Sequence, residues 1–155
     1  MPEAYFADSS ALVKRHVQEI GSIWFSNLAD TQTGNTIIIS RLSITEVFSA
    51  FNRRRRELSL SKNDCQRIAQ EFEDFCQIEY QITEITEEVT EKSKELLEKY
   101  PLRASDSIQL ASALLTNDNL KQANFPELIF LASDQKLLDA AIGKNLQNDN
   151  PQNYP

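Results

Sequence analysis

The chain has 155 residues, 41% hydrophobic and 25% charged, within the range of a folded globular domain and outside that of a disordered one. That length fits one domain, large enough to bury a core without a disulfide or metal staple. A net charge of −7 argues against a protein that coats polyanions, and no apolar run approaches the roughly 20 residues of a membrane span. Met1 to Phe6 holds an acid and no basic n-region, so the expectation is a cytoplasmic protein without a secretory signal.

The first segment, Ala4-Tyr5-Phe6-Ala7, is apolar and aromatic and ends at Asp8-Ser9-Ser10, which reads as a strand passing into a helix cap. Helical patterns follow through Ala11, Leu12 and Val13, and through Ile20, Ile23, Trp24 and Leu28. His16 sits among Lys14, Arg15, Gln18 and Glu19 and is expected as an exposed polar residue. As the single histidine, it makes a zinc site or a serine–histidine triad untenable. Thr36-Ile37-Ile38-Ile39 has the continuous β-branched character of a buried parallel strand.

Ile44, Val47, Phe48 and Phe51 then recur at helical spacing up to an unbroken run from Arg53 to Arg56. A helix is expected from Lys62 to about Cys76, capped by Ser61, with Ile68, Ala69, Phe72 and Phe75 inward. Cys65 and Cys76 on that helix would stand about 16 Å apart, beyond the roughly 7 Å limit for a disulfide, and read as reduced thiols. Ile78, Tyr80 and Ile82 alternate as a short strand should. Thr86 opens a helix that runs to Lys99 and stops at Pro101, and Ser105-Asp106 leads into another carrying Ile108, Ala111, Leu114 and Leu115. Leu128-Ile129-Phe130-Leu131 is a second buried-strand run ending at Ser133-Asp134. Leu137, Leu138, Ala141 and Ile142 form the last helix, with Gly143 as its stop. The domain is placed at residues 1–144, and residues 145–155, rich in Asn, Gln and Pro, are expected to fray.

Strands alternating with helices, and apolar throughout, indicate an α/β fold with a mainly parallel sheet. Ligands of such sheets bind outside the carboxyl ends of the strands. Asp8 and Asp134 each end a strand, so a parallel arrangement brings them to one edge. Asp106 opens a helix, where the macrodipole favours a carboxylate. Converging carboxylates without basic partners repel unless a hard cation such as Mg²⁺ or Mn²⁺ lies between them. Read singly, Asp8 and Asp106 are equally capping acids and Asp134 a turn residue. Glu46 points away from the apolar stripe of its helix, toward Ser49, Ala50 and Arg53, and by default is an exposed helix glutamate. A phosphatase beginning strand–Asp-x-Asp does not match Asp8-Ser9-Ser10, and a phosphoacceptor receiver domain would need a second acid near the first strand.

Taken in order, four segments resemble the motifs of PIN-domain ribonucleases, particularly VapC-type toxins of bacterial toxin–antitoxin modules. They are Tyr5 to Lys14 around Asp8, Ser40 to Val47 around Glu46, Leu102 to Ala111 around Asp106, and Phe130-Leu131-Ala132-Ser133-Asp134 followed by Leu137 to Ala141. The resemblance spans nearly the whole chain, except for residues 57–100, which carry no motif. It implies a three-layer α/β/α PIN-like fold and endonucleolytic RNA cleavage by metal-activated water, leaving a 5′-phosphate and a 3′-hydroxyl. Asp8, Asp106 and Asp134 would hold Mg²⁺ or Mn²⁺, with Glu46 as a further ligand or acceptor. Ser9 and Ser133 offer hydroxyls to water or phosphate, and Arg103 either holds an acid in place or touches the backbone. Arg53 and Arg56 are expected beside the acids as phosphate contacts. The resemblance also implies a homodimer and a cognate antitoxin; apolar side chains around Trp24 and Phe48 would line the groove that receives it or else belong to the core. A PIN fold that only binds RNA or scaffolds a complex is the alternative.

Overall fold

The computed structural model describes residues 1–155. Five strands, β1 (Ala4–Ala7), β2 (Thr36–Ser40), β3 (Gln81–Thr83), β4 (Ile129–Leu131) and β5 (Asn148–Asp149), form one sheet in the order β3-β2-β1-β4-β5. Every pairing is parallel. Seven helices cover its two faces: α1 (Ser9–Val13), α2 (Ser22–Ala29), α3 (Arg41–Arg56), α4 (Lys62–Ile78), α5 (Glu87–Lys99), α6 (Ala104–Gln122) and α7 (Gln135–Gly143).

The apolar strands explain the three layers, since a strand with no polar side must be covered on both. Phe6 pairs in register with Ile38 on β2 and Phe130 on β4, and these side chains meet α5, α6 and α7 through Leu96, Leu110 and Leu137. Their neighbours Ala7, Ile37, Ile39 and Leu131 turn to the other face and meet α1 to α4 through Leu12, Phe25, Phe51 and Phe72. Side-chain caps fix where the helices start: Asp8, Ser40, Ser61, Thr86 and Asp134 each accept a backbone amide from the first turn. Cys65 and Cys76 are both buried on α4 and unbonded.

The structure departs from the sequence reading at several places. Helix α4 continues through Ile78, whose side chain is solvent-exposed, so the third strand is only Gln81–Thr83. Residues 145–155 do not fray. Leu146 is buried, β5 extends the sheet beside β4, and Pro151 is buried under α2, where its carbonyl leaves no room for a Cβ on Gly21. Tyr154 stacks on Trp24 with the rings 4.2 Å apart and 2° from parallel. Phe48 packs against Phe51 and Phe72, and both Phe48 and Trp24 are partly buried against the core. Gly143 is the last residue of α7 rather than its left-handed stop, a role that falls near Asn145 at φ 58°. It is small because the Tyr100 hydroxyl would stand 2.5 Å from a Cβ there.

His16 reverses its expected place. Helix α1 ends at Val13, and the chain then tucks the imidazole among Phe51, Phe72 and Phe75, with centroids 5.5 to 5.7 Å away. The ring is fully buried, and neither nitrogen makes a hydrogen bond, although a Glu71 oxygen lies 3.3 Å from Nδ1. Burial, with Arg15 nearby, pushes its pKa down to about 4. The folded ring is therefore neutral where an unfolded one, near 6.5, takes up a proton, so His16 favours the folded state above about pH 6.5 and loses that contribution as pH falls toward 4. In urea titrations between pH 7 and 4, the stability of the unaltered protein relative to His16→Phe should fall on the order of 2–3 kcal/mol, a comparison in which the pH trends of other groups cancel. An equal loss in the variant would place the acid sensitivity elsewhere.

Candidate active site

Parallel strands bring their carboxyl ends to one edge, and the acids gather there. Asp8 leaves β1 in extended conformation and caps α1, so its carboxylate is 6% exposed. Oδ1 accepts the Ala11 amide at 3.2 Å and the Ser10 hydroxyl at 2.5 Å. Ser10 Oγ in turn accepts the Ser133 amide at 3.3 Å and ties the ends of β1 and β4 together. Glu46 lies on α3, half-buried, and its Oε1 accepts the Gln109 side-chain amide from α6 at 2.7 Å. The same Gln109 nitrogen reaches Ser43 Oγ at 2.7 Å, while Gln109 Oε1 is buried without a partner. Asp106, in the first turn of α6, pairs with Arg103 Nε at 3.1 Å. Asp134 caps α7 through the Lys136 and Leu137 amides and faces solvent.

The electrostatics show that these groups share one field. Burial, joined by the charges of Glu46 and Asp106, raises the Asp8 pKa to about 7 against the pull of Ser10 and Ala11. Burial also raises Glu46; Asp106 adds to the rise, and the Gln109 amide and Ser9 hydroxyl oppose it. Arg103 is held protonated chiefly by Asp106, with Asp134 and Glu46 contributing.

Two cavities open on the group. One, of about 580 Å³, is lined by Ser9, Ser10, Glu46, Arg53, Arg54, Arg103 and Ser133, together with Lys14, Glu19 and Gln152. The other, of about 450 Å³, contains Asp106, Asp134 and Lys136. Arg103 stands on the wall of both. Of the residues named from sequence, Ser9, Ser133, Arg53 and Arg103 reach the site, but Arg56 does not. At 100° per residue, Arg54 and Arg56 diverge about 80° to opposite sides of the Glu46 direction, and the cavity wall formed by α1 lies on the Arg54 side. The reading from sequence missed Ser10, Lys14, Arg54 and Gln109. Gln109 was findable: it follows Asp106 by three positions, on one helix face, inside an otherwise apolar segment.

The donor set is all oxygen and mutually repelling, the chemistry that suits a hard divalent ion. The acids are not drawn into a ready-made metal cluster, and a guanidinium occupies Asp106 instead.

The PIN domain family model matches residues 5–142. The chain belongs to the PIN-domain family. It is 31% identical over 137 residues to Ribonuclease VapC45 of Mycobacterium tuberculosis, with 88% of each chain covered. Among solved structures it is similar to VapBC2 from Rickettsia felis bound to a DNA fragment from its promoter, with TM-score 0.64, 18% identity, and 95% and 98% of the two chains covered. It is also similar to a toxin–antitoxin complex from Klebsiella pneumoniae, with TM-score 0.62, 18% identity, and 95% and 97% covered. Within this PIN domain, no helix is long and apolar enough to cross a membrane.

The raised Asp8 pKa has a direct consequence for stability. A folded carboxyl that titrates near 7 instead of 3.8 stabilises the fold below about pH 3.8, and that contribution is lost as pH rises through 7. In EDTA, Asp8→Asn should therefore melt several degrees higher than the unaltered protein at pH 8, roughly 2–4 kcal/mol, and no higher at pH 4. A pH-independent difference would assign the effect to the cap and not to the buried charge.

Proposed function

We propose that this PIN domain is an endoribonuclease, the toxin of a toxin–antitoxin module. The observation that carries the reading is the buried Asp8 carboxyl, held beside Glu46 and Asp106, with Glu46 and the neighbouring Ser9 and Ser10 on the wall of a cavity that also carries Arg53, Arg54 and Arg103. A relative named a ribonuclease, aligned over 88% of both chains, supports RNA as the substrate class.

In this reading, Asp8, Asp106 and Asp134 would hold Mg²⁺ or Mn²⁺, which lowers the pKa of bound water and offsets charge developing on the phosphate. The chain's own residues do the positioning. Ser10 fixes Asp8 against β4, and Gln109 and Ser43 hold Glu46 in one orientation. Ser133 lines the cavity and its hydroxyl has no partner within the fold, so rotation of the side chain would offer it to substrate oxygen. Arg103 counters the Asp106 charge. With total RNA and Mg²⁺, the unaltered protein should yield fragments with 5′-phosphate ends. Asp8→Asn should abolish cleavage, and Gln109→Leu should slow it about 10–100-fold. Cleavage that persists in Asp8→Asn with EDTA present would sink the mechanism, and RNA binding without cleavage would leave a scaffold.

The same acids suit a protein partner. Arg103 shows that the cluster accepts a guanidinium, and charge-assisted pairs of this kind are among the stronger polar contacts. A similar fold solved as a toxin–antitoxin complex supports an antitoxin that places a basic side chain there. Co-expression with the neighbouring reading frame should give a complex whose inhibition eases as Mg²⁺ rises. A complex as active as the free protein would remove the toxin reading and leave the nuclease.

A further inference from the structure

The cavity of about 580 Å³ runs from Glu46 and Arg103, beside the acids at the strand ends, to Lys14, Glu19, Arg53 and Arg54 at its far end. Helices α1 and α3 both run from one end to the other. From Asp8 to Lys14 is about 9 Å along α1 and its cap, and from Glu46 to Arg53 about 10 Å along α3. At the far end Lys14, just past α1, has its side chain 1% exposed, unusual for a lysine, and donates to Glu19 Oε1 at 3.0 Å. The other Glu19 oxygen takes Arg54 at 2.7 Å, which fastens the chain after α1 to the end of α3.

The charge at this end does not balance. Lys14, Arg53 and Arg54 face the cavity against the single carboxylate of Glu19, in a protein whose overall charge is −7. An ammonium carries three donors, and Lys14 spends one. Buried donors without acceptors cost free energy, and a cavity wall is where an incoming acceptor can meet them. Thr45, Ser49 and Ala50 between the two ends are small enough to let a chain pass.

We infer that Lys14 and Arg53 form a second subsite, which binds a backbone phosphate flanking the one held at the acids. Glu19 and Arg54 position Lys14, and the inference rests on the RNA-cleaving reading above. The acid end rejects phosphate unless a cation is present, whereas the basic end attracts it unaided. RNA is therefore anchored at the basic end first and aligned along α3 toward Glu46. This assigns Lys14 a binding role where an isolated ion pair would be structural only.

The test uses the full chain in an Asp8→Asn background and measures the affinity of a mixed-sequence, single-stranded 12-nucleotide RNA across a KCl series. Lys14→Met and Arg53→Ala should each flatten the slope of log affinity against log salt by about 0.7, one phosphate contact on a single strand. Arg56→Ala should leave the slope unchanged, and Lys14→Arg should restore it. Glu19→Gln separates binding from bracing: it should lower the melting temperature yet tighten RNA binding, because it removes the only negative charge at this end. That variant also decides the matter if Lys14→Met fails to fold. A subsite is overturned if Lys14→Met lowers affinity with an unchanged slope, or if Glu19→Gln weakens binding. Cleavage of total RNA by the unaltered protein is scored in parallel. Expected slopes without cleavage would overturn the nuclease reading and keep the phosphate subsite; cleavage with unchanged slopes would do the reverse.

Discussion

The carboxylate of Asp8 is withdrawn from water at the end of the central strand, and the rest of the site answers to that cost. Only two donors, the Ser10 hydroxyl and the Ala11 amide, offset its burial, and two further acids add to its charge. Burial pushes such a group toward its neutral form, and only a rigid fold keeps its few donors in place. That rigidity comes from β1 lying between β2 and β4, with Phe6 and Ala7 locked into opposite cores. The Ser10 link to the Ser133 amide makes the edges of β1 and β4 move as one. Gln109 extends the same restraint to α3 by holding Glu46 from a different helix.

The acidic chain thus carries one basic wall, and its placement follows from helix geometry more than from composition. Of the four consecutive arginines, Arg54 alone is drawn into an ion pair, with Glu19, and Arg53 and Arg54 line the cavity. Arg55 and Arg56 turn to solvent as the helix continues round. Nine of the 23 acids lie on α4 and α5, away from this cavity, so the net charge of −7 says little about it.

Much of the fold was legible because parallel strands buried on both faces must be continuously apolar, as Thr36 to Ile39 and Leu128 to Leu131 are. The acids at strand ends and helix starts were legible for a related reason: a strand-to-helix turn needs a capping side chain where a ligand can also reach it. What could not be read depended on contacts distant in sequence. His16 has polar neighbours along the chain and aromatic ones in space, contributed by α3 and α4. The closing segment is polar, but Leu146, Pro151 and Tyr154 each find a place against an element formed earlier. Lys14 and Glu19 lie five residues apart, a spacing that no helical rule pairs, and only the turn after Val13 brings them together.

The strand order also bears on synthesis. The acids come from positions 8, 46, 106 and 134, and the strand that completes their edge, β4, lies more than 120 residues after β1. Closing a contact of such sequence separation is slow and comes late in folding. A growing polypeptide therefore has no assembled site while its first hundred residues emerge, even though Asp8 and Glu46 are already outside the tunnel.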